Sequence, residues 1–148
     1  MNFSIDKKEL QEALIEHCKV VPIRSTLPIL SCALFSLHKT GLRIKTTDLE
    51  QTIISQQKIK GDTEGSFAAP INKLLEIVTA LTDKEISFLT NEDFLIEISN
   101  TQGTYKITGR DSQEFPEKTE TTKESKLLLK GKELLKIINK SLRISRKL

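Results

Sequence analysis

The sequence predicts an α+β domain made of two β-α-β-β-β units, with two helices packed against antiparallel sheets. Three observations carry that prediction. Phe3–Leu14 (FSIDKKELQEAL), Phe67–Val78 (FAAPINKLLEIV) and Leu127–Ile138 (LLLKGKELLKII) each place apolar side chains at offsets 0, 2, 7, 10 and 11, starting 64 and 60 residues apart. The first two offsets alternate as in a strand, and the last three share one face of a helix. The first two copies are each followed by three short runs of strand character. Such units cannot bury their apolar faces alone, so two are expected to pack as one pseudo-symmetric domain.

In the first unit, Asn2–Ile5 reads as a strand and Asp6 as the N-cap of a helix, with Glu9 completing a capping-box-like spacing. The helix is expected to reach about Cys18, with Leu10, Ala13, Leu14 and Cys18 inward, and Pro22 helps to end the segment. Ile29–Leu37, Leu42–Thr46 and Thr52–Ile59 then read as strands, the first pair joined by a turn at His38–Gly41. In the second unit, Ser66–Ala69 is a strand. Pro70 suits the first turn of a helix running to about Leu81, because its missing N–H has no helical partner there. Glu85–Leu89, Phe94–Ile98 and Thr104–Thr108 follow as strands.

The polar stretch Ser112–Glu124 reads as a linker, after which strand Lys126–Leu129 and helix Gly131–Leu142 open a third unit. The domain boundaries drawn from this are residues 1–118, a linker at 119–125 and an incomplete second domain at 126–148. That last helix has an apolar face (Leu134, Ile137, Ile138) with too little chain to cover it, so the final stretch is expected to be poorly packed.

Composition narrows the classes. The chain has 148 residues, 37% hydrophobic and 29% charged, with no Trp, as in a water-soluble globular protein whose core is filled by Leu and Ile. No stretch approaches the roughly 20 apolar residues of a bilayer span, and the N-terminus does not resemble a signal peptide. A cytoplasmic protein without membrane partners is expected. Net charge is +3, but unevenly spread. Met1–Thr122 has 14 basic and 18 acidic residues (−4), whereas Lys123–Leu148 has 9 and 2 (+7). The basic tail suits a partner carrying phosphates, or is simply a solvated helix face.

No catalytic constellation is visible, and no cofactor or metal is expected. His17, on a helix, and His38, at a turn, lack metal-site spacing and read as structural or surface residues. Asp48 and Glu50 have no third ligand beside them, and Asp48 reads as ordering a turn. Glycine-rich phosphate motifs are absent. Cys18 and Cys32 read as buried free thiols.

Two peptides stand out, RSTLPIL (Arg24–Leu30) and TDLE (Thr47–Glu50). Together with the repeat, with Phe3 in the opening strand, with Pro70 and Lys73 at a helix start, and with Phe115-Pro116, they make the chain resemble the bacterial sliding clamp, the beta subunit of DNA polymerase III. The resemblance extends to about Asn139 and implies a DNA-clamp fold. It also implies a non-catalytic processivity factor that encircles duplex DNA without reading its sequence and tethers the replicative polymerase. Clamp subunits have three such domains, so the chain corresponds to the first domain and the beginning of the second. With Arg143 at an expected aromatic position, it reads as a truncated product, a fragmentary gene model or a frameshift.

The resemblance assigns residues as well. Arg24 is expected to face the duplex, where a guanidinium can bridge two phosphate oxygens. Asn72 and Lys73 are expected at a helix start near DNA or a neighbouring subunit. Lys132, Lys136 and Lys140, spaced i, i+4, i+8, form a basic stripe on a helix of the kind that lines the clamp's hole. Gln102, Thr104 and Tyr105, with Lys73, are expected at the seam of a head-to-tail dimer. Tyr105 as a plain core aromatic is the competing reading. Polymerase and clamp-loader binding would fall in domains beyond these residues. The competing class is a stand-alone single-domain interaction module that encircles nothing.

Overall fold

The computed structural model describes residues 1–59, 61–91, 93–117 and 128–145, apart from the side chains of Asp62 and of residues 143–145. The chain divides into two units, Met1–Glu117 and Lys118–Leu148.

The first unit begins with strand β1 (Asn2–Asp6) and helix α1 (Lys7–Cys18). Asp6 caps the helix, its Oδ1 accepting the backbone N–H of Lys8 at 2.8 Å and of Glu9 at 3.2 Å. A 3-10 turn at Pro28–Ser31 leads into β2 (Cys32–His38), β3 (Gly41–Thr47) and β4 (Thr52–Gln57). The expected strand from Ile29 is therefore corrected at its start. Pro28 sets the φ of a helical turn, and the Ser31 hydroxyl donates back to the Pro28 carbonyl at 2.7 Å. At the β2–β3 turn Gly41 has φ +127°, and a Cβ there would lie 2.2 Å from the Gln57 carbonyl oxygen, so only glycine fits.

A short strand missed in the sequence, β5 (Gly61–Thr63), precedes β6 (Gly65–Pro70) and helix α2 (Ile71–Ala80). Pro70 stands at the N-cap rather than inside the first turn. Strands β7 (Glu85–Thr90), β8 (Leu95–Asn100) and β9 (Gly103–Thr108) complete the unit.

The two halves exchange their first strands. One sheet has the order β5-β1-β7-β8-β9 and the other β4-β3-β2-β6. Thus β1 joins the strands of the second half, and β6 joins those of the first. Both junctions are antiparallel and are marked by the same feature. Phe3 lies opposite Phe88 with rings stacked at 4.9 Å, and Phe67 lies opposite Phe35 with rings stacked at 5.0 Å. Because the interlocked halves share each sheet, neither can bury its core without the other.

The repeat predicts the core. Phe3, Ile5, Leu10, Ala13 and Leu14 are buried, as are Phe67, Ala69, Leu74 and Val78, with Ile77 half-buried against them. Helices α1 and α2 run antiparallel. The Gln11 side-chain amide donates to Thr79 Oγ1 at one end (3.3 Å), and the Cys18 thiol donates to Asn72 Oδ1 at the other (3.5 Å). Cys18 is therefore half-buried rather than buried, whereas Cys32 is buried, and both are free thiols whose pKa burial pushes up.

In the second unit, helix α3 spans Gly131–Ser145. Of the expected strand Lys126–Leu129, only Leu128 and Leu129 are among the described residues, and they are not in a strand. The expected linker at 119–125 lies outside the described residues. Positions that are buried or half-buried in the first two copies of the repeat are exposed at the described positions of the third: Leu129, Leu134, Ile137 and Ile138 are each more than two-fifths exposed. No described helix is long and apolar enough to cross a membrane.

Candidate nucleic-acid interface

Arg24 lies in the connection that leaves α1, where residues 23–28 are all exposed. The connection has a buried anchor downstream, Ile29 and Leu30, packed with Cys32, Ala68 and Phe115. Within it the Ser25 hydroxyl oxygen accepts the Leu27 N–H at 3.0 Å. Asn72 and Lys73 are exposed in the first turn of α2, and Lys73 pairs with Glu76 at 3.5 Å. Since the end of α1 meets the start of α2 through Cys18 and Asn72, the Arg24 connection and the Asn72–Lys73 turn start from the same end of the helix pair. No side chain caps α2, so its first N–H groups have no side-chain acceptor, an arrangement favourable to anions.

Lys132, Lys136 and Lys140 are exposed along one side of α3. Leu134, Leu135, Ile138 and Leu142 occupy the helix's other side and are exposed too.

Thr104 and Tyr105 are exposed on β9, and Gln102 is exposed in the turn just before it; β9 is an outer strand of its sheet that pairs only with β8 among the described strands. Tyr105 is 41% exposed, which corrects the reading of it as a core aromatic. Gln102 is engaged within the unit, its side-chain amide donating to Thr82 Oγ1 at 3.0 Å, and the Thr104 hydroxyl sits 3.1 Å from that of Ser99.

The TDLE turn is ordered as expected from Asp48, whose Oδ1 accepts the N–H of Glu50 at 3.0 Å and of Gln51 at 2.6 Å. Thr47 Oγ1 accepts the Leu49 N–H at 3.1 Å. These bonds hold Leu49 at φ +80°, a conformation that costs a non-glycine residue on the order of 1–2 kcal/mol.

Two polar contacts were not anticipated. Lys45 Nζ donates to the Pro116 carbonyl at 2.8 Å and stands 5.3 Å from the Phe115 ring centroid, fastening the segment that leaves the sheets. Burial, and then Arg43, push the Lys45 pKa down. His17 is fully buried, with Nδ1 2.8 Å from Thr46 Oγ1 and Nε2 2.8 Å from Ser55 Oγ. Burial holds its pKa at about 4. The Thr46 hydroxyl also lies 3.4 Å from the His17 carbonyl, and a neutral ring donates through one nitrogen to one of the two hydroxyls and accepts through the other from the second. The sequence signal for that burial was present, since Leu10, Ala13, Leu14 and His17 fall at i, i+3, i+4 and i+7. Among the described residues, no group of three or more His, Cys, Asp or Glu could hold a metal ion.

Interlocked halves, an antiparallel helix pair and exposed cations at its end define a duplicated, strand-exchanged α+β domain of the clamp type. The family described as DNA polymerase III beta subunit, N-terminal domain, matches residues 1–119, and the chain belongs to that family. It is 28% identical over 121 residues to the beta sliding clamp of Haemophilus influenzae, covering 81% of this chain and 33% of that protein. It is 27% identical over 142 residues to the beta sliding clamp of Vibrio cholerae, covering 95% of this chain and 39% of that one. The crystal structure of the DNA polymerase III beta chain of Streptococcus pneumoniae superposes with a TM-score of 0.83 at 23% identity, over 93% of this chain and 38% of that chain. The chain thus spans between a third and two-fifths of the length of these relatives.

Proposed function

We propose that this chain is the N-terminal part of a DNA sliding clamp, an accessory subunit with no active site of its own. In this reading the complete clamp acts in the cytoplasm, encircles duplex DNA and tethers the bacterial replicative polymerase. Residues 1–118 form its first domain, 119–125 a linker, and 126–148 the start of a second domain. A ring that must slide gains from attraction to phosphates without base readout, because contacts that carry no sequence information let it move along the duplex. Its hold on DNA then comes from closure. Arg24, Asn72 and Lys73 are the first domain's phosphate contacts, and Lys132, Lys136 and Lys140 those of the next. The outer strand β9, with Thr104 and Tyr105, together with Gln102 in the turn before it and Lys73 on α2, pairs with a second subunit, as exposed strand edges do. Polymerase and clamp loader bind elsewhere on the complete clamp. The stand-alone module is disfavoured, because the Vibrio cholerae relative matches 95% of this chain.

The observation that carries the proposal is the exposed Arg24 connection starting beside the first turn of α2. Arg24→Ala is expected to weaken binding to a short labelled duplex at low salt by about fivefold, the loss of one phosphate contact. Stability should change by less than about 0.5 kcal/mol, as for a surface site. Anisotropy titration and thermal melts check both. Unchanged affinity, or a large loss of stability, would contradict the assignment.

A further inference from the structure

We propose that His17 is a positioning residue for the Arg24 connection, and that it couples this connection to the Thr47–Glu50 turn. The inference rests on the DNA-contact reading of Arg24, but its geometry is independent of it. The connection is exposed from residue 23 to residue 28, with Ile23 fully exposed, so its path depends on its two ends. The downstream end is held by apolar burial of Ile29 and Leu30. Upstream, the last turn of α1 is fastened to the sheet by His17, through one hydroxyl on β3 and one on β4. Thr46 immediately precedes the turn in which Leu49 is held at positive φ.

One buried ring therefore ties together the bases of two otherwise separate exposed segments. A hydrophobic side chain in its place would fill the space but take the ring partner from the buried Thr46 hydroxyl, leaving it only the longer contact to the backbone carbonyl of residue 17, and from the half-buried Ser55 hydroxyl, and losing hydrogen bonds at such a site is costly. Relief would come from loosening the end of α1 or the β3–β4 hairpin, and both segments would shift together. His17 need not touch DNA to act in this way.

The test compares His17→Leu, His17→Gln, Arg24→Ala and the His17→Leu/Arg24→Ala double variant. Amide exchange by mass spectrometry reads residues 19–27 and 47–52 against α2, and anisotropy reads duplex affinity. His17→Leu is expected to speed exchange about tenfold in those two segments while leaving α2 unchanged. It should weaken duplex binding as much as Arg24→Ala does, with the double variant no weaker than Arg24→Ala alone. His17→Gln, which keeps a donor and an acceptor, should restore both readouts.

Additive losses in the double variant, or faster exchange throughout the unit, would overturn the proposal and leave His17 a general stabiliser. If Arg24→Ala itself leaves affinity unchanged, the DNA reading fails while the exchange pattern still decides the coupling. If His17→Leu does not fold, Ser55→Ala removes the Nε2 bond alone. A rise confined to the two segments is again expected, and a uniform rise contradicts the proposal.

Discussion

Phe88→Ala is expected to destabilise the domain by about 3–5 kcal/mol, the usual cost of emptying a buried phenylalanine site. Phe88 is fully buried and stacks on Phe3 across the β1–β7 junction, where a strand of the first half enters the sheet of the second. Removing it forfeits the side chain's burial and the ring pairing, and leaves a cavity between elements that relax poorly because both belong to shared sheets. Phe35 holds the corresponding place at the β2–β6 junction, opposite Phe67. Phe35→Ala should therefore cost about as much, although it lies in the other half of the sequence. Against the roughly 5–15 kcal/mol of a whole domain, either change removes a large share of stability. Urea unfolding of residues 1–117 checks this, with a single transition expected in both variants because neither half closes its core alone. Losses below about 1 kcal/mol, or two separate transitions, would contradict the exchanged-strand account.

The second large effect is acid sensitivity through His17. Burial lowers its pKa from the ordinary 6.5 to about 4. Between those values the unfolded chain takes up a proton that the folded chain refuses. Stability therefore rises with pH from about 4 to 6.5 and is flat with respect to this group above that range. The full difference corresponds to at most about 3 kcal/mol lost on going from neutral to below pH 4. His17 forms part of the floor of a surface groove between α1 and β4, whose other ionisable lining groups are Glu9, Glu12 and Glu16 of α1, with Ser55 and Gln57 facing it from β4. Those carboxylates are present in the wild type and in His17→Gln alike, so the difference between the two stability profiles isolates His17. That difference is expected to narrow or reverse as the pH falls from 6.5 to 4. Parallel profiles over that interval would contradict a buried neutral imidazole.

The elements and most of the core were legible in the sequence because they rest on local signals. The 3.6-residue and two-residue periods, Asp6 before an apolar stripe, and a glycine closing a turn each act over a few residues. The strand exchange was not legible, because nothing local tells β1 whether to pair with β7 or with β2. Its only trace was the matching Phe at the first offset of both copies. Strand β5 was missed because three polar residues beside a turn have no strand signature, and the strand exists only as an edge on β1. Ile29–Ser31 misled for the opposite reason, since an apolar run after proline suits a strand as well as a 3-10 turn.

The candidate site divides similarly. Exposure of Arg24, Asn72, Lys73, Gln102 and Thr104 accords with interaction roles, but their assignment came from resemblance rather than from periodicity. His17 was hidden because a polar residue on an apolar face shows its partners only when β3 and β4 arrive from elsewhere in the chain. The third copy of the repeat has the same apolar offsets as the first two, yet at the described positions, Leu129, Leu134, Ile137 and Ile138, its side chains are exposed. Pattern alone defines a face; tertiary structure decides whether it is covered.

The most direct test of the central claim, that this chain meets duplex DNA through its phosphates, is its affinity for two duplexes of unrelated sequence across a range of salt concentrations. Equal affinities are predicted, falling on a log–log plot with a slope of about 3–5, as for release of a few counterions. Preference for one sequence, affinity indifferent to salt, or no binding at low salt would contradict it.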